Sequence, residues 1–153
     1  MGNVTTAESY AHALTAGDFA HAATTGYYAN AATVGFNAHA TTTGQRARAI
    51  TAGNLSHALT AGDDTRATTA GRLAHALTAG DRAKTAATGE NAIAAAFGAN
   101  SSARAANGGF IVLVQYDDED GVVAIKTAQA GRDGIQPDTW YTLSPTGEFV
   151  EAE

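Results

Sequence analysis

Glycine falls at every ninth position from Gly17 to Gly98 without a slip, through Gly26, Gly35, Gly44, Gly53, Gly62, Gly71, Gly80 and Gly89. A fixed short period held over ten units marks a chain that stacks one structural unit on the next. In places the repeated phrase is nearly literal: YAHALTAGD at Tyr10–Asp18, LSHALTAGD at Leu55–Asp63 and LAHALTAGD at Leu73–Asp81. A chain this rich in Ala, Thr and Gly could also be low-complexity disorder. Disorder has no reason to preserve a register, so the period argues for structure.

Inside each unit small residues alternate with variable ones. Six residues before the glycine stands Ala (Ala11, Ala20, Ala29, Ala38, Ala47, Ala74, Ala83, Ala92), or Ser56 or Thr65. Four before it stands Ala again, with Thr85 the exception, and two before it stands Thr in every unit from Thr15 to Thr78. Alternation with period two reads as strand. Glycine then supplies a corner, where φ can be positive or backbones can approach closely. A helix would need a 3.6 period and would be weakened by one Gly per unit. The pattern therefore predicts an all-β, single-chain parallel β-solenoid. Nine residues hold one strand and one turn, and a coil needs two strands to enclose a core, so a coil takes about 18 residues. Residues 10–108 then form about 5.5 coils, a rod about 26 Å long at the spacing of paired strands. An interior of Ala and Thr is thin, so stability must rest on backbone ladders, stacking and capped ends.

Five residues before each glycine from Gly17 to Gly89 the chain places His12, His21, Asn30, His39, Arg48, His57, Arg66, His75 and Lys84. These side chains do not fit an Ala-sized core and are expected outside. With 18 residues per coil they divide between two faces. One stacks His21, His39, His57 and His75, and the other His12, Asn30, Arg48, Arg66 and Lys84. Stacked imidazoles repel when protonated, so their pKa values should fall. These columns are candidate partner or ligand contacts, set against a purely solvating role. A linear ladder offers a metal adjacent pairs rather than a tetrahedral set, so no metal site and no cofactor are expected. Ordered Thr arrays suggest ice binding, but Thr15 to Thr78 share the parity of the inward Ala residues. They are expected inside, hydrogen-bonded to backbone or to one another. Leu14, Val34, Ile50, Leu59, Leu77 and Phe97 are expected to make one outer surface partly apolar. Tyr10, Phe19, Tyr27, Tyr28 and Phe36 cluster in the first three repeats, and should cover the N-terminal end of the rod or form an oligomer contact.

After Gly108 the pattern changes. Phe110–Tyr116 and Val122–Thr127 flank the acidic turn Asp117–Gly121, a hairpin signal. Trp140–Leu143 and Glu148–Val150 flank SPTG, a second hairpin. This segment holds the only Trp and both Pro residues. It is expected to carry the bulkiest core and cap the rod. The chain thus divides into a lead-in at 1–9, the solenoid at 10–108 and an acidic hairpin cap at 109–153. Residues 1–108 carry net charge +1 and residues 109–153 carry −7, which together make −6. The turn residues Asp117, Asp118, Glu119 and Asp120 could imitate phosphate, but they lack the later ligands of an EF-hand calcium loop. Trp140 and Tyr141 are further candidate oligomer contacts.

The chain has no Cys, which excludes disulfides and thiol chemistry. No secretory h-region and no apolar run of membrane-spanning length stands in it, so a cytoplasmic protein with no membrane partner is expected. Nucleophile elbow, P-loop and HExxH motifs are missing, and a thin rod has no substrate cavity, so an enzyme is not expected.

The nonapeptide repeats followed by AGRDGIQPDTWYTLSPTGEFVE resemble small repeat proteins encoded in bacterial phages and prophages. AHALTAGD and NAIAAAFGANSSARA also resemble, more weakly, the repeats of trimeric adhesin heads. The first resemblance implies an accessory protein of the bacterial cytoplasm that binds a host protein or protein–nucleic-acid complex, and concretely an inhibitor of a host nucleic-acid-handling or defence system. Alternatives are a structural module that forms a homo-oligomer, and anion or nucleic-acid binding along Arg48, Arg66 and Lys84. Net acidity makes direct duplex DNA binding the least favoured of these.

Overall fold

The computed structural model describes residues 2–152. The described residues form strands and turns only. One sheet, here the histidine sheet, stacks in parallel β1 (Asn3–Thr6), β3 (His21–Thr25), β5 (His39–Thr43), β7 (His57–Ala61), β9 (His75–Ala79), β11 (Ile93–Ala96) and β13 (Phe110–Tyr116), and ends in antiparallel β14 (Val122–Gln129). The other, the arginine sheet, stacks β2 (His12–Ala16), β4 (Asn30–Val34), β6 (Arg48–Ala52), β8 (Arg66–Ala70), β10 (Lys84–Ala87) and β12 (Ser102–Ala105), followed by antiparallel β15 (Tyr141–Leu143) and β16 (Phe149–Glu151). Successive strands alternate between sheets, so two repeats make one coil and the register advances by 18, as in His21↔His39 and Arg48↔Arg66. This is the β-solenoid that the glycine period requires. Asn3–Thr6 already belongs to it, with Asn3 opposite His21.

Burial follows the strand parity. In β7 the pattern is half-buried His57, buried Ala58, exposed Leu59, buried Thr60, exposed Ala61. Ala13, Ala22, Ala31, Ala40, Ala49, Ala58, Ala67 and Ala76 form a continuous methyl spine between the sheets. The corners explain the glycine. A Cβ on Gly35, Gly53, Gly71, Gly80, Gly89 or Gly98 would collide with the carbonyl oxygen of the glycine one coil earlier. Two residues on, the chain takes a left-handed conformation at every corner, from Tyr10 (φ 63°) to Asn100 (φ 54°), and turns into the next strand. Asp18, Asn54, Asp63 and Asp81 clamp the stack. Each Oδ1 accepts from a backbone N–H one coil later, on Phe36, Arg72, Asp81 and Ala99, at 2.9–3.1 Å.

The interior threonines are buried as their parity demands, yet their hydrogen bonding departs from expectation. Thr60 bonds Thr65 and Thr78 bonds Thr85, each at 2.9 Å. The hydroxyls of Thr24, Thr33, Thr42, Thr51 and Thr69 have no protein partner. The position that supplies Thr65, five residues after Thr60, is Ala after Thr24, Thr33, Thr42 and Thr69, and after Thr51 it is Ser56, whose hydroxyl already donates to the Gly35 and Asn54 carbonyls.

At the C-terminal end the core changes character. Ile111, Leu113, Ile135, Tyr141 and Leu143 are buried against Ala87, Ala92, Ala94, Ala96, Ala103 and Ala105, with Phe149 packed alongside. The last corner is one residue shorter than the others, since Phe110 lies opposite Ile93 while Ser102 lies opposite Lys84. That shift brings Ile111 and Leu113 inward and closes the thin rod with large side chains.

Candidate binding surfaces

The histidine ladder is real and ordered. Rings of His21 and His39 stack at 4.8 Å, His39 and His57 at 4.8 Å, and His57 and His75 at 5.1 Å, with interplanar angles of 8°, 19° and 29°. Parallel strands in register set this spacing. Partial burial, and then the neighbouring imidazoles, push the pKa values of His39 and His57 down. Among the described residues no group of three His, Asp or Glu is placed to hold a metal ion. Beside the ladder, Thr41, Thr43, Leu59, Ala61, Leu77, Ala79 and Phe97 line a shallow apolar groove.

The apolar positions do not share one surface. Leu59, Leu77 and Phe97 lie on the histidine sheet, whereas Leu14, Val34 and Ile50 lie on the arginine sheet. Equivalent repeat positions on one sheet sit a multiple of 18 apart, as do Leu14 and Ile50, whereas Leu14 and Leu59, or Val34 and Phe97, differ by an odd number of nine-residue repeats. The aromatic residues are also placed differently from an end cover. Tyr10 and Tyr28 run up one corner edge, and Phe19 and Phe36 up the other, all of them exposed. They occupy corner positions: Tyr10, Phe19 and Tyr28 are the left-handed residues of their corners, and Phe36 directly precedes the left-handed Asn37.

Tyr10, Tyr28, Arg46, Asp64 and Arg82 form a single corner column, each one coil above the last. Tyr10 stacks on Tyr28 at 5.4 Å. The Arg46 guanidinium lies over the Tyr28 ring at 5.7 Å and donates to the Tyr27 and Tyr28 hydroxyls at 3.0 and 2.7 Å. The Arg46 hydrogen bond, above all, lowers the Tyr28 pKa. Arg82 donates twice to the Asp64 carboxylate, at 3.0 and 3.1 Å, and so holds its pKa down. The 18-residue spacing of these residues was the available signal for this column, and reading one repeat at a time hides it.

On the arginine sheet, Arg48 and Arg66 are exposed and stand side by side. Lys84 is different, because the Trp140 ring lies over its Nζ at 5.5 Å and over the Arg104 guanidinium at 4.9 Å. Trp140 is therefore a lid on two cations of its own chain. Tyr141 is corrected outright as an oligomer contact: it is 4 % exposed, and its hydroxyl accepts from the Gln136 N–H at 2.9 Å. Strand alternation puts it inward while Trp140 faces out. In the acidic turn, Asp117 Oδ1 accepts from the N–H groups of Glu119 and Gly121 at 3.0 and 2.7 Å. Asp117 thus builds the turn, and Asp118, Glu119 and Asp120 remain exposed around it.

No protein-family model, no curated protein and no solved structure matches this chain. No helix among the described residues is long and apolar enough to cross a membrane.

Proposed function

We propose that the protein is a non-catalytic binding rod that docks a partner protein across the outer face of its histidine sheet. The observation that carries this reading is the apolar groove of Leu59, Leu77 and Phe97 beside the stacked imidazoles. Leu59 is 38 % exposed and Phe97 40 %, on a regular sheet with no bulky charge between them. Exposed apolar surface on a rigid scaffold marks an interaction face, and little conformational entropy is lost when it is covered. In its concrete form, following the resemblance to phage-encoded repeat proteins, the partner is a host nucleic-acid-handling or defence protein that the rod inhibits. Asp118, Glu119 and Asp120 at the end of the rod support that form as a phosphate-like rim.

One observation favours a second reading, a homo-oligomeric assembly module. Strand β14 is the outermost strand of its sheet and leaves Val122, Val123 and Ile125 more than half exposed. An exposed apolar edge strand is a template for a second copy.

The test is an affinity pull-down of tagged protein from bacterial lysate, with and without nuclease, beside a Leu59→Glu/Leu77→Glu variant. A stoichiometric host protein that survives nuclease and is lost by the variant supports docking on this face. Recovery of the protein's own oligomers alone, by wild type and variant alike, would overturn it in favour of the assembly module.

A further inference from the structure

The solenoid part of the arginine sheet carries no carboxylate on its strands. Its six solenoid strands read HALTA, NAATV, RAITA, RATTA, KTAA and SARA, without one Asp or Glu. The solenoid strands of the histidine sheet, NVTT, HAATT, HATTT, HALTA, HALTA and IAAA, also lack Asp and Glu but hold no Arg or Lys, so the cations of the solenoid strands gather on this one sheet. Like charges directly opposed on neighbouring strands weaken a sheet, and Arg48 is opposed to Arg66.

Trp140 covers the cations farther along the sheet, Lys84 and Arg104. Nothing comparable covers Arg48 and Arg66. The ion pairs among the described residues are Arg72–Glu90 and Arg82–Asp64. A concavity opens between Arg48 and Arg66, walled by Tyr28, Asn30, Arg46 and Asp64. Its one carboxylate, Asp64, is already held by two Arg82 nitrogens. Arg46 is fixed at the rim by its bonds to Tyr27 and Tyr28, so its charge is in place before any ligand arrives.

We propose that this concavity binds a phosphate group, clamped by Arg48 and Arg66 with Arg46 as a third donor. Two guanidinium groups one strand spacing apart, about 4.8 Å, can each turn a fork of N–H donors to different oxygens of one tetrahedral anion. A carboxylate has two oxygens and one charge, and a single guanidinium satisfies it. A free phosphate or phosphomonoester has three or four free oxygens and up to two charges, which suits a pair, and a nucleic-acid backbone, with one charge on each phosphodiester, can set successive phosphates against the two guanidinium groups. Tyr28 lies between Tyr10 and Arg46 in its corner column, so it offers no open ring face to a base. The site therefore recognises the phosphate and not the base, whether the source is a single-stranded nucleic-acid backbone or a free phosphate compound. It lies on the sheet opposite the proposed docking face and does not depend on that reading.

The experiment uses two probes on the full chain at low salt: a fluorescein-labelled twelve-nucleotide oligothymidylate followed by anisotropy, and inorganic phosphate followed by calorimetry. Binding of either probe is expected, weakened at least about tenfold by Arg48→Gln/Arg66→Gln and less than about twofold by Arg72→Gln on the other corner edge. Tight oligonucleotide binding that phosphate does not displace assigns the source as nucleic acid, and binding of phosphate itself assigns a free anion. Circular dichroism of the double variant checks its fold. Removing the opposed charges should leave the denaturation midpoint unchanged or raised. Failure of both probes to bind wild type, or equal loss in Arg72→Gln, overturns the proposal.

Discussion

Three alanine substitutions separate the two demands that the corners place on glycine. At Gly17 φ is +120° and a Cβ would meet nothing within 4 Å, because no earlier corner lies beneath it. Gly17→Ala therefore carries backbone strain alone, about 1–3 kcal/mol for a conformation that only Gly adopts readily. Gly89 is the converse. Its φ lies outside the left-handed range, yet a Cβ would collide with the Gly71 carbonyl. Relief requires the two corners to separate, at the expense of the flanking bonds from Thr88 N–H to the Thr69 carbonyl and from Leu73 N–H to the Glu90 carbonyl, both 3.0 Å. At about 1 kcal/mol each, Gly89→Ala should cost about 2 kcal/mol. Gly53 carries both terms, with φ +149° and a collision against the Gly35 carbonyl. The bonds at risk there run from Gly35 N–H to the Ala52 carbonyl and from Asn37 N–H to the Asn54 carbonyl, both 2.9 Å. Gly53→Ala should therefore cost about 3–5 kcal/mol, the sum of strain and lost bonds. Urea denaturation followed by far-ultraviolet circular dichroism measures all three. If Gly53→Ala proved no worse than Gly17→Ala, the stacked carbonyl would not be what selects glycine, and the account of the corners given above would be wrong.

The methyl spine is expected to reject added volume. Ala58 is fully buried among other alanines, so Ala58→Val should cost about 1–3 kcal/mol, while Ala61→Val on the exposed side of the same strand should change stability by less than about 0.5 kcal/mol. Equal effects in denaturation would contradict the inward–outward assignment. The histidine ladder sets a pH dependence. Burial and neighbouring imidazoles hold His39 and His57 below the ordinary His value of about 6.5 in the folded chain. The unfolded chain then binds more protons, so this stability is present above about pH 6.5 and is lost as pH falls through the folded values. The urea midpoint should drop between pH 7 and pH 5, and less so in His57→Gln. An identical drop in that variant would place the effect elsewhere.

How far the sequence led can be judged residue by residue. The outward histidines, the inward threonines and the two hairpins around Asp117–Gly121 and SPTG were all legible. Each rests on alternation along a single strand or on a short turn. The grouping of Leu14, Val34 and Ile50 with Leu59, Leu77 and Phe97 failed because strand parity says which way a residue points but not which sheet it is on. Only the 18-residue coil decides that. The candidate surfaces were half legible. Arg48 and Arg66 stand as expected, but Lys84 lies beneath Trp140, and no repeat arithmetic links positions 84 and 140.

By itself the sequence determined the coil. A nine-residue period with alternating small residues and one glycine sets strand, corner and the 18-residue register, since each unit meets an equivalent unit and local geometry is repeated without accumulating error. The tertiary structure decided what happens where the copies end. The shortened corner before Phe110 moved Ile111 and Leu113 inside, and the pairing of β15 onto β12 buried Tyr141 and set Trp140 outward over Lys84 and Arg104. That outcome depends on which large side chains fill the last open layer of a thin core, a packing choice among residues far apart in sequence. It leaves Arg48 and Arg66 as the uncovered cations of their sheet.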